Sequence, residues 1–366
     1  MHRDWVLVTG YPGFEARKLV EHLLAVEPTT HVALLVQNAD EDAVGRHLER
    51  VGDDRARVEL FEGDPAALDM GLSGAELGAL ARRVTRIHHV AHLSHVGADR
   101  RTATRVNVQG AVEAIAVARA CHHLECLVHH STAHVSGDRA GLVYEDELDE
   151  SQGFHGVVQE TRMTAELVMR RAMSDLPIAV IRPTMMVGDS DTGEVERFDG
   201  PYLLVMLLLG LPGDLAVPLP TGADNPLDIV PVDHVVKAAR AIGTCRDARG
   251  RTFHLASSEQ LTAREVFERI ARAGGKRTAS RSLLPRKLAS ALSRTPALAK
   301  VLQEPRALLQ QLVTKARYDT RNADRILAQH GLVCPPLDAY VTTLVAAVQE
   351  RFRERAGDRS TLDPEG

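Results

Sequence analysis

The chain has 366 residues, 44% of them hydrophobic, with four cysteines and a formal net charge of −5. Such a chain can bury one large core plus a smaller appendage, and its acidic balance argues against general nucleic-acid binding. Cys121, Cys126, Cys245 and Cys334 form neither a CxxC pair nor a disulfide framework, which fits a reducing compartment.

The opening Met-His-Arg-Asp-Trp leads straight into an apolar run over 5–9, without a signal-peptide pattern, so a cytoplasmic location is expected. That run is a strand ended by glycine. It feeds a helical pattern in which Leu19, Val20 and Leu23 alternate with charged residues. Strands follow at 31–37 and 57–62, separated by a charged helix over 41–51, and the second ends at Gly63-Asp64. The alternation continues as a strand over 84–91, a helix over 108–121, a strand over 124–131, a helix over 158–173 and a strand over 178–182. Repeated strand–helix alternation at this spacing implies a doubly wound parallel sheet with right-handed crossovers. From about 190 the rhythm fails and Pro-Gly-rich connections and helices take over, interrupted by a strand at 252–255. The expected organisation is an α/β Rossmann-type domain over 1–188, with further core strands admitted from 228–256. A smaller, mainly helical substrate region over 189–355 follows, then a disordered tail over 356–366. The apolar stretch 202–211 is shorter than the roughly 20 residues that span a bilayer and reads as a buried helix or cavity lining.

VTGYPGFEA, residues 8–16, sets Gly10, Gly13 and Ala16 three apart between a strand and a helix. Glycine there lets the backbone turn tightly and approach a pyrophosphate at a helix N-terminus, where unpaired N–H groups favour anions. A glycine triplet alone also fits a tight turn that holds nothing.

Several stretches accompany it in order: LLVQNADEDAVGRHL, FEGD, RIHHVAHLSHVG, NVQG, HSTAHVSG, IRPTMMVGDSDTGE, DIVPVDHVV and TFHLAS. Together they resemble the extended short-chain dehydrogenase/reductase family, in its branch of fatty acyl-CoA reductases and thioester reductases, over about residues 5–350. The resemblance implies that Gly10, Gly13 and Phe14 surround a pyrophosphate, that Asp64 contacts adenine, that Ala91 and Asn107 lie along the cofactor path, and that Pro183 sits beside the nicotinamide. The second strand ends in Leu35-Val36-Gln37 and lacks the carboxylate that grips a ribose 2′-hydroxyl. This tilts the expectation to NADP, with NAD left open. Gln37 stands where the branch usually has arginine, so Arg46 remains as the cation for a 2′-phosphate, or as a solvated helix residue.

In this family a tyrosine moves the proton at the reacting oxygen, a lysine four residues later lowers its pKa, and a serine or threonine orients the carbonyl. In GFHGVVQETRMTAELV, Phe154, Thr161, Ala165 and Glu166 match the family pattern, but Val158 holds the tyrosine position and Arg162 the lysine position. Arg162 can still donate to ribose hydroxyls, and Thr132 holds the orienting hydroxyl position. Histidine is abundant nearby: His88, His89, His92, His95, His129, His130, His134 and His155. An imidazole titrates near neutral pH and is the natural substitute acid or base. His134 and His155 are the candidates, with Tyr144 and Tyr202 as further donors. Most of the others are structural, since neighbouring strand residues such as His88 and His89 point to opposite faces. No histidine pair has metal-ligand spacing with an acid partner, so no metal site is expected.

Between Lys276 and Arg317 there are ten Lys/Arg residues and one acid, Glu304, interleaved with leucines. A basic amphipathic surface attracts acidic or phosphorylated partners. With the resemblance, it implies an acyl substrate on coenzyme A or on an acyl carrier protein. A helical lid is the bland alternative, and membrane association ranks below it because Pro285, Pro296 and Pro305 divide the segment. A homodimer is left open. The expected function is NAD(P)-dependent oxidoreduction of a lipid-like, polyketide-like or thioester-bound substrate with a non-standard proton donor. Its rival is a non-redox cyclase, lyase or isomerase, or a cofactor-binding protein with altered chemistry, on the same fold.

Overall fold

Runs such as HVALLV and IAVIRP, apolar on both faces of a pleat, suit only strands that helices cover on both sides, and parallel strands are covered in that way. The computed structural model describes residues 4–37, 40–93, 98–195, 217–218, 223–276, 278–279 and 314–360. In chain order its elements begin with β1 (Trp5–Thr9), α1 (Phe14–Val26), β2 (His31–Val36), α2 (Glu41–Val51), β3 (Val58–Glu62), α3 (Gly74–Arg83) and β4 (Arg86–His89). Next come α4 (Arg100–Ala103), α5 (Gly110–Ala120), β5 (Cys126–His130), β6 (Ala140–Val143), α6 (Val157–Ala172), β7 (Ile178–Pro183), β8 (Met185–Val187) and β9 (Val217–Pro218). The remainder are β10 (Ile229–Pro231), α7 (Val232–Thr244), β11 (Arg251–Leu255), α8 (Ala263–Ala273), β12 (Thr278–Ala279), β13 (Lys315–Tyr318), α9 (Arg321–Gln329) and α10 (Leu337–Ser360).

Seven strands form one sheet in the order β11-β7-β5-β4-β1-β2-β3, every neighbouring pair parallel. Chain order runs outward in one direction from β1 through β2 to β3 and in the other from β4 onward. The strand order therefore reverses between β1 and β4, and the carboxyl ends of those strands flank the crevice where doubly wound sheets bind ligands. On one face Leu7, Leu35, Leu80, Ile87, Leu127 and Val180 share a fully packed apolar core.

Two element boundaries differ from the periodicity in ways that matter for the site. β2 stops at Val36, so Gln37 lies just past the strand end. The helix expected at 108–121 starts earlier: α4 passes through a π-helical turn, Thr104–Gln109, into α5. Such a turn holds one residue more than an α-helical one and recurs at functional sites.

The chain divides into two compact units, Met1–Thr184 with Asp233–Ala256 and Tyr318–Val333, and Met185–Val232 with Ser257–Arg317 and Cys334–Gly366. The first holds the seven-stranded sheet. In the second, β8 pairs with β10 in parallel, and Glu259 accepts hydrogen bonds from Arg269 Nη1 and from the backbone N–H of Leu337 at the start of α10.

Candidate functional site

The turn between β1 and α1 is built around two glycines. Gly10 has φ +85°, and a Cβ there would lie 2.7 Å from the backbone nitrogen of Ala91 at the exit of β4. A Cβ on Gly13 would lie 2.8 Å from the carbonyl oxygen of Gly10, whose partner is the Gly13 N–H at 2.9 Å. Any side chain at either position would pry the turn open. Ala16 is fully buried, which lets α1 lie close against the sheet. Ala91 is pinned from below, because its N–H donates to Thr9 Oγ1 (3.2 Å), which in turn bonds His89 Nδ1 (3.0 Å). The turn, α1 and Ala91 thus form a backbone-lined cradle at the switch point, which fits the pyrophosphate of a dinucleotide.

Beyond the ends of β2 and β3, Asp64 Oδ1 accepts from the Ala66 N–H at 2.9 Å and from Gln37 Nε2 at 3.4 Å. Its other oxygen is ion-paired with Arg105, a residue that no sequence motif singles out. Arg46 lies exposed on α2.

On the other side of the cradle, Asn107 is buried. It accepts from the Leu93 N–H (2.7 Å) and donates to Thr161 Oγ1 (2.9 Å), tying the π-helical turn to α6 one residue before Arg162. Arg162 is buried and donates from Nη2 to the carbonyl oxygen of His130 at 2.9 Å. Burial pushes its pKa down to about 10 against the pull of Glu15 and Glu166, so the guanidinium keeps its charge at neutral pH. Val158, one helical turn earlier on the same side of α6, is half-buried. Thr132 Oγ1 receives the His134 N–H at 3.3 Å and lies 3.5 Å from the carbonyl oxygen of Pro183. Glu166 closes this wall with hydrogen bonds from Ser131 Oγ (2.6 Å), Arg182 Nη2 (2.7 Å) and Arg170 Nε (2.9 Å).

The histidines divide by face, as strand alternation requires. His89 stacks on His129, ring centroids 5.6 Å apart, while His88 Nδ1 meets His130 Nε2 at 3.1 Å. His130 Nδ1 continues that chain to the buried carboxylate of Glu15 at 2.6 Å. Burial would raise the Glu15 carboxyl, but the charge and hydrogen bond of His130, with His92 and Arg162 behind it, together hold it below the usual range. Sequence motifs do not point to Glu15; an acid among the buried neighbours Phe14, Ala16 and Leu19 is the signal that marks it. His134 does not titrate near neutrality as an isolated imidazole would: desolvation and the charge of Arg162 push it down to about 4. His92 is driven to about 3, mainly by burial and then by Arg162. His155 is exposed ahead of α6, and the Arg321 guanidinium lies over the ring of Tyr144. Tyr202, His95 and most of the basic segment 276–317 lie outside the described residues. Among the described residues no group of three or more His, Cys, Asp or Glu side chains is arranged for a metal ion, and no helix is long and apolar enough to cross a membrane.

A seven-stranded parallel sheet with this order and a glycine turn at its switch point defines a Rossmann-type α/β fold built for a dinucleotide. The model of the NAD-binding family described as male sterility protein matches residues 8–239, and the chain belongs to that family, in its fatty acyl-CoA reductase-like branch. It is 25% identical over 278 residues to the fatty acyl-CoA reductase wat of Drosophila melanogaster, covering 64% of this chain and 53% of that protein. It is 27% identical over 271 residues to the nonribosomal peptide synthetase asaC of Aspergillus flavus, covering 68% of this chain and 26% of that protein. The chain thus spans about half the length, or less, of these curated relatives. Among solved structures, the terminal R domain of the myxalamid PKS-NRPS biosynthetic pathway superposes with a TM-score of 0.81 at 24% identity, covering 96% of this chain and 92% of that one. The UDP-glucuronic acid 4-epimerase of Bacillus cereus, in complex with NAD, gives 0.67 at 16% identity, covering 94% and 99%.

Proposed function

We propose that this chain is an NAD(P)-dependent reductase of acyl thioesters, carried on coenzyme A or on an acyl carrier protein, with NADP as its cofactor. The observation that carries this reading is the buried, charged Arg162 donating to the His130 carbonyl at the carboxyl end of β5, two residues before Thr132 and one crossover from the Gly10–Ala91 cradle. Gly10, Gly13, Phe14 and Ala91 would hold the cofactor's pyrophosphate, and Pro183 would border its nicotinamide. When bound, the cofactor supplies a hydride.

What the protein's own residues must do follows from the substrate. Addition to a thioester carbonyl makes a tetrahedral oxyanion, which collapses to an aldehyde by expelling a thiolate, so that step needs charge stabilisation more than a proton. A guanidinium and a hydroxyl can provide it without reorganising. Reduction of the aldehyde onward to an alcohol leaves an alkoxide that must gain a proton. Neither Val158 nor an imidazole held neutral, as His134 is, supplies one readily. The same arrangement therefore favours release of the aldehyde.

The test is turnover of an acyl-CoA and of the matching carrier-linked thioester with NADPH, with product identified by mass spectrometry. The expected product is aldehyde, one cofactor consumed per thioester. Thr132→Ala and Arg162→Gln should each lower kcat/KM by about 10²–10³-fold, the usual loss for one oxyanion donor. Thioester-dependent chemistry without cofactor consumption would instead favour a non-redox reaction.

A further inference from the structure

We propose that Arg105, on the π-helical turn, is the residue that selects a 2′-phosphorylated cofactor. This inference rests on the reading that the Gly10–Ala91 cradle holds a nicotinamide dinucleotide. In a site that selects the unphosphorylated form, a carboxylate beyond the second strand accepts the ribose hydroxyls and repels a phosphate. Here the residue beyond β2 is the neutral Gln37, and the acid bonded to it is Asp64, beyond β3. Arg105 neutralises that acid. Asp64 is itself held by the Ala66 N–H and by Gln37 Nε2, so the cation paired to it stands at the mouth of β2 and β3.

The guanidinium is also available to a ligand. The Arg105 side chain is 57% exposed, against 29% for Asp64, so the acid is tucked in and the cation faces outward. An arginine fork satisfied on one edge by a carboxylate keeps donors on its other edge, in the geometry that grips phosphate oxygens two at a time. The π-helical turn explains how one short segment serves both ends of the site. Its extra residue lets Arg105 reach Asp64 while Asn107, two residues on, is buried against Thr161 and Leu93. Removing Arg105 would do two things at once. It would delete the phosphate's partner and expose the uncompensated charge of Asp64 to that phosphate.

The experiment is fluorescence titration of the full chain with NADPH and with NADH, at several salt concentrations, for wild type, Arg105→Gln, Arg105→Lys and Arg46→Gln. Thermal melts serve as a folding control. Arg105→Gln should weaken NADPH by roughly 10–100-fold, the range for a charge-assisted hydrogen bond. It should leave NADH within about twofold and flatten the salt dependence of NADPH binding. Arg105→Lys should recover most of the preference, and Arg46→Gln should have the smaller effect. Equal loss of both cofactors in Arg105→Gln, no loss of either, or a selective loss only in Arg46→Gln would overturn the assignment while leaving the dinucleotide reading intact. Failure of the wild type to bind either cofactor would overturn both.

Discussion

Glu15 shows how much can turn on one residue. It follows Phe14 in the first turn of α1, between the buried apolar residues Phe14 and Ala16, yet its carboxylate meets His130, which passes the contact to His88. Removing one member of a buried hydrogen-bonded pair leaves the other unsatisfied, at a cost of about 1–3 kcal/mol and more where it is charged, whereas replacing both with apolar groups of similar size is often neutral. We therefore expect Glu15→Leu and His130→Val each to lower the denaturation midpoint sharply, and the double variant to regain much of the loss. Urea unfolding of the three variants measures this coupling, and strictly additive losses would show that the pair acts as two independent residues. The same pair borders the cradle, so its integrity also positions the α1 N-terminus.

Among the elements, α1 is anchored at both ends by charge. At its carboxyl end Glu27 accepts from Arg86 of β4 (3.1 Å), Arg240 of α7 (2.8 Å) and Thr30 Oγ1 (2.9 Å). Burial would raise the Glu27 carboxyl, but these donors bring it down to about 2. A depressed carboxyl stabilises the fold above its unfolded pKa, near 4.5, and that contribution disappears as pH falls from there towards 2. Its ceiling is about 3 kcal/mol at neutral pH, from about 1.4 kcal/mol per pKa unit. Glu27→Gln should thus lower the melting temperature at pH 7 but converge on the wild type in acid. A constant offset between the two melting curves over that range would remove Glu27 from the account of acid sensitivity.

For the whole molecule, the sheet-bearing unit is not one continuous stretch of chain. β11 is its edge strand, paired with β7, and α7 carries the Arg240 that reaches Glu27. Glu145 makes the dependence explicit: its buried carboxylate accepts from the backbone N–H groups of His254 (3.0 Å), Asn322 (2.6 Å) and Ala323 (3.1 Å), so it caps α9 while fastening β11. A fragment ending at 188 would keep Glu145 and Glu27 and lose these partners. We expect such a fragment to aggregate or to show little cooperative unfolding by circular dichroism, while a chain containing 1–360 melts cooperatively. Cooperative melting of the short fragment would show that β11, α7 and α9 are accessories.

What the sequence by itself determined were features carried by local repeats and by residues with one conformational use. Apolar runs marked the strands, and the Gly10–Gly13 spacing marked the cradle, because a Cβ on Gly13 collides with the Gly10 carbonyl within the turn itself; that a Cβ on Gly10 would strike Ala91 at the exit of β4 is a tertiary fact. The opposite-facing histidines followed from the two-residue period of a strand. Only the tertiary structure decided which charges meet. Arg105 and Asp64 are 41 residues apart, and Glu15 and His130 are 115 apart, with no periodicity linking either pair. The π-helical turn was equally hidden, since TRVNVQ has no composition that marks an inserted residue. It goes with the hydrogen bond that Asn107 accepts from Leu93 before it and the one it donates to Thr161 after it. The altered ionisation of His134 depends on burial beside Arg162, a property of the folded surroundings that an imidazole in isolation lacks.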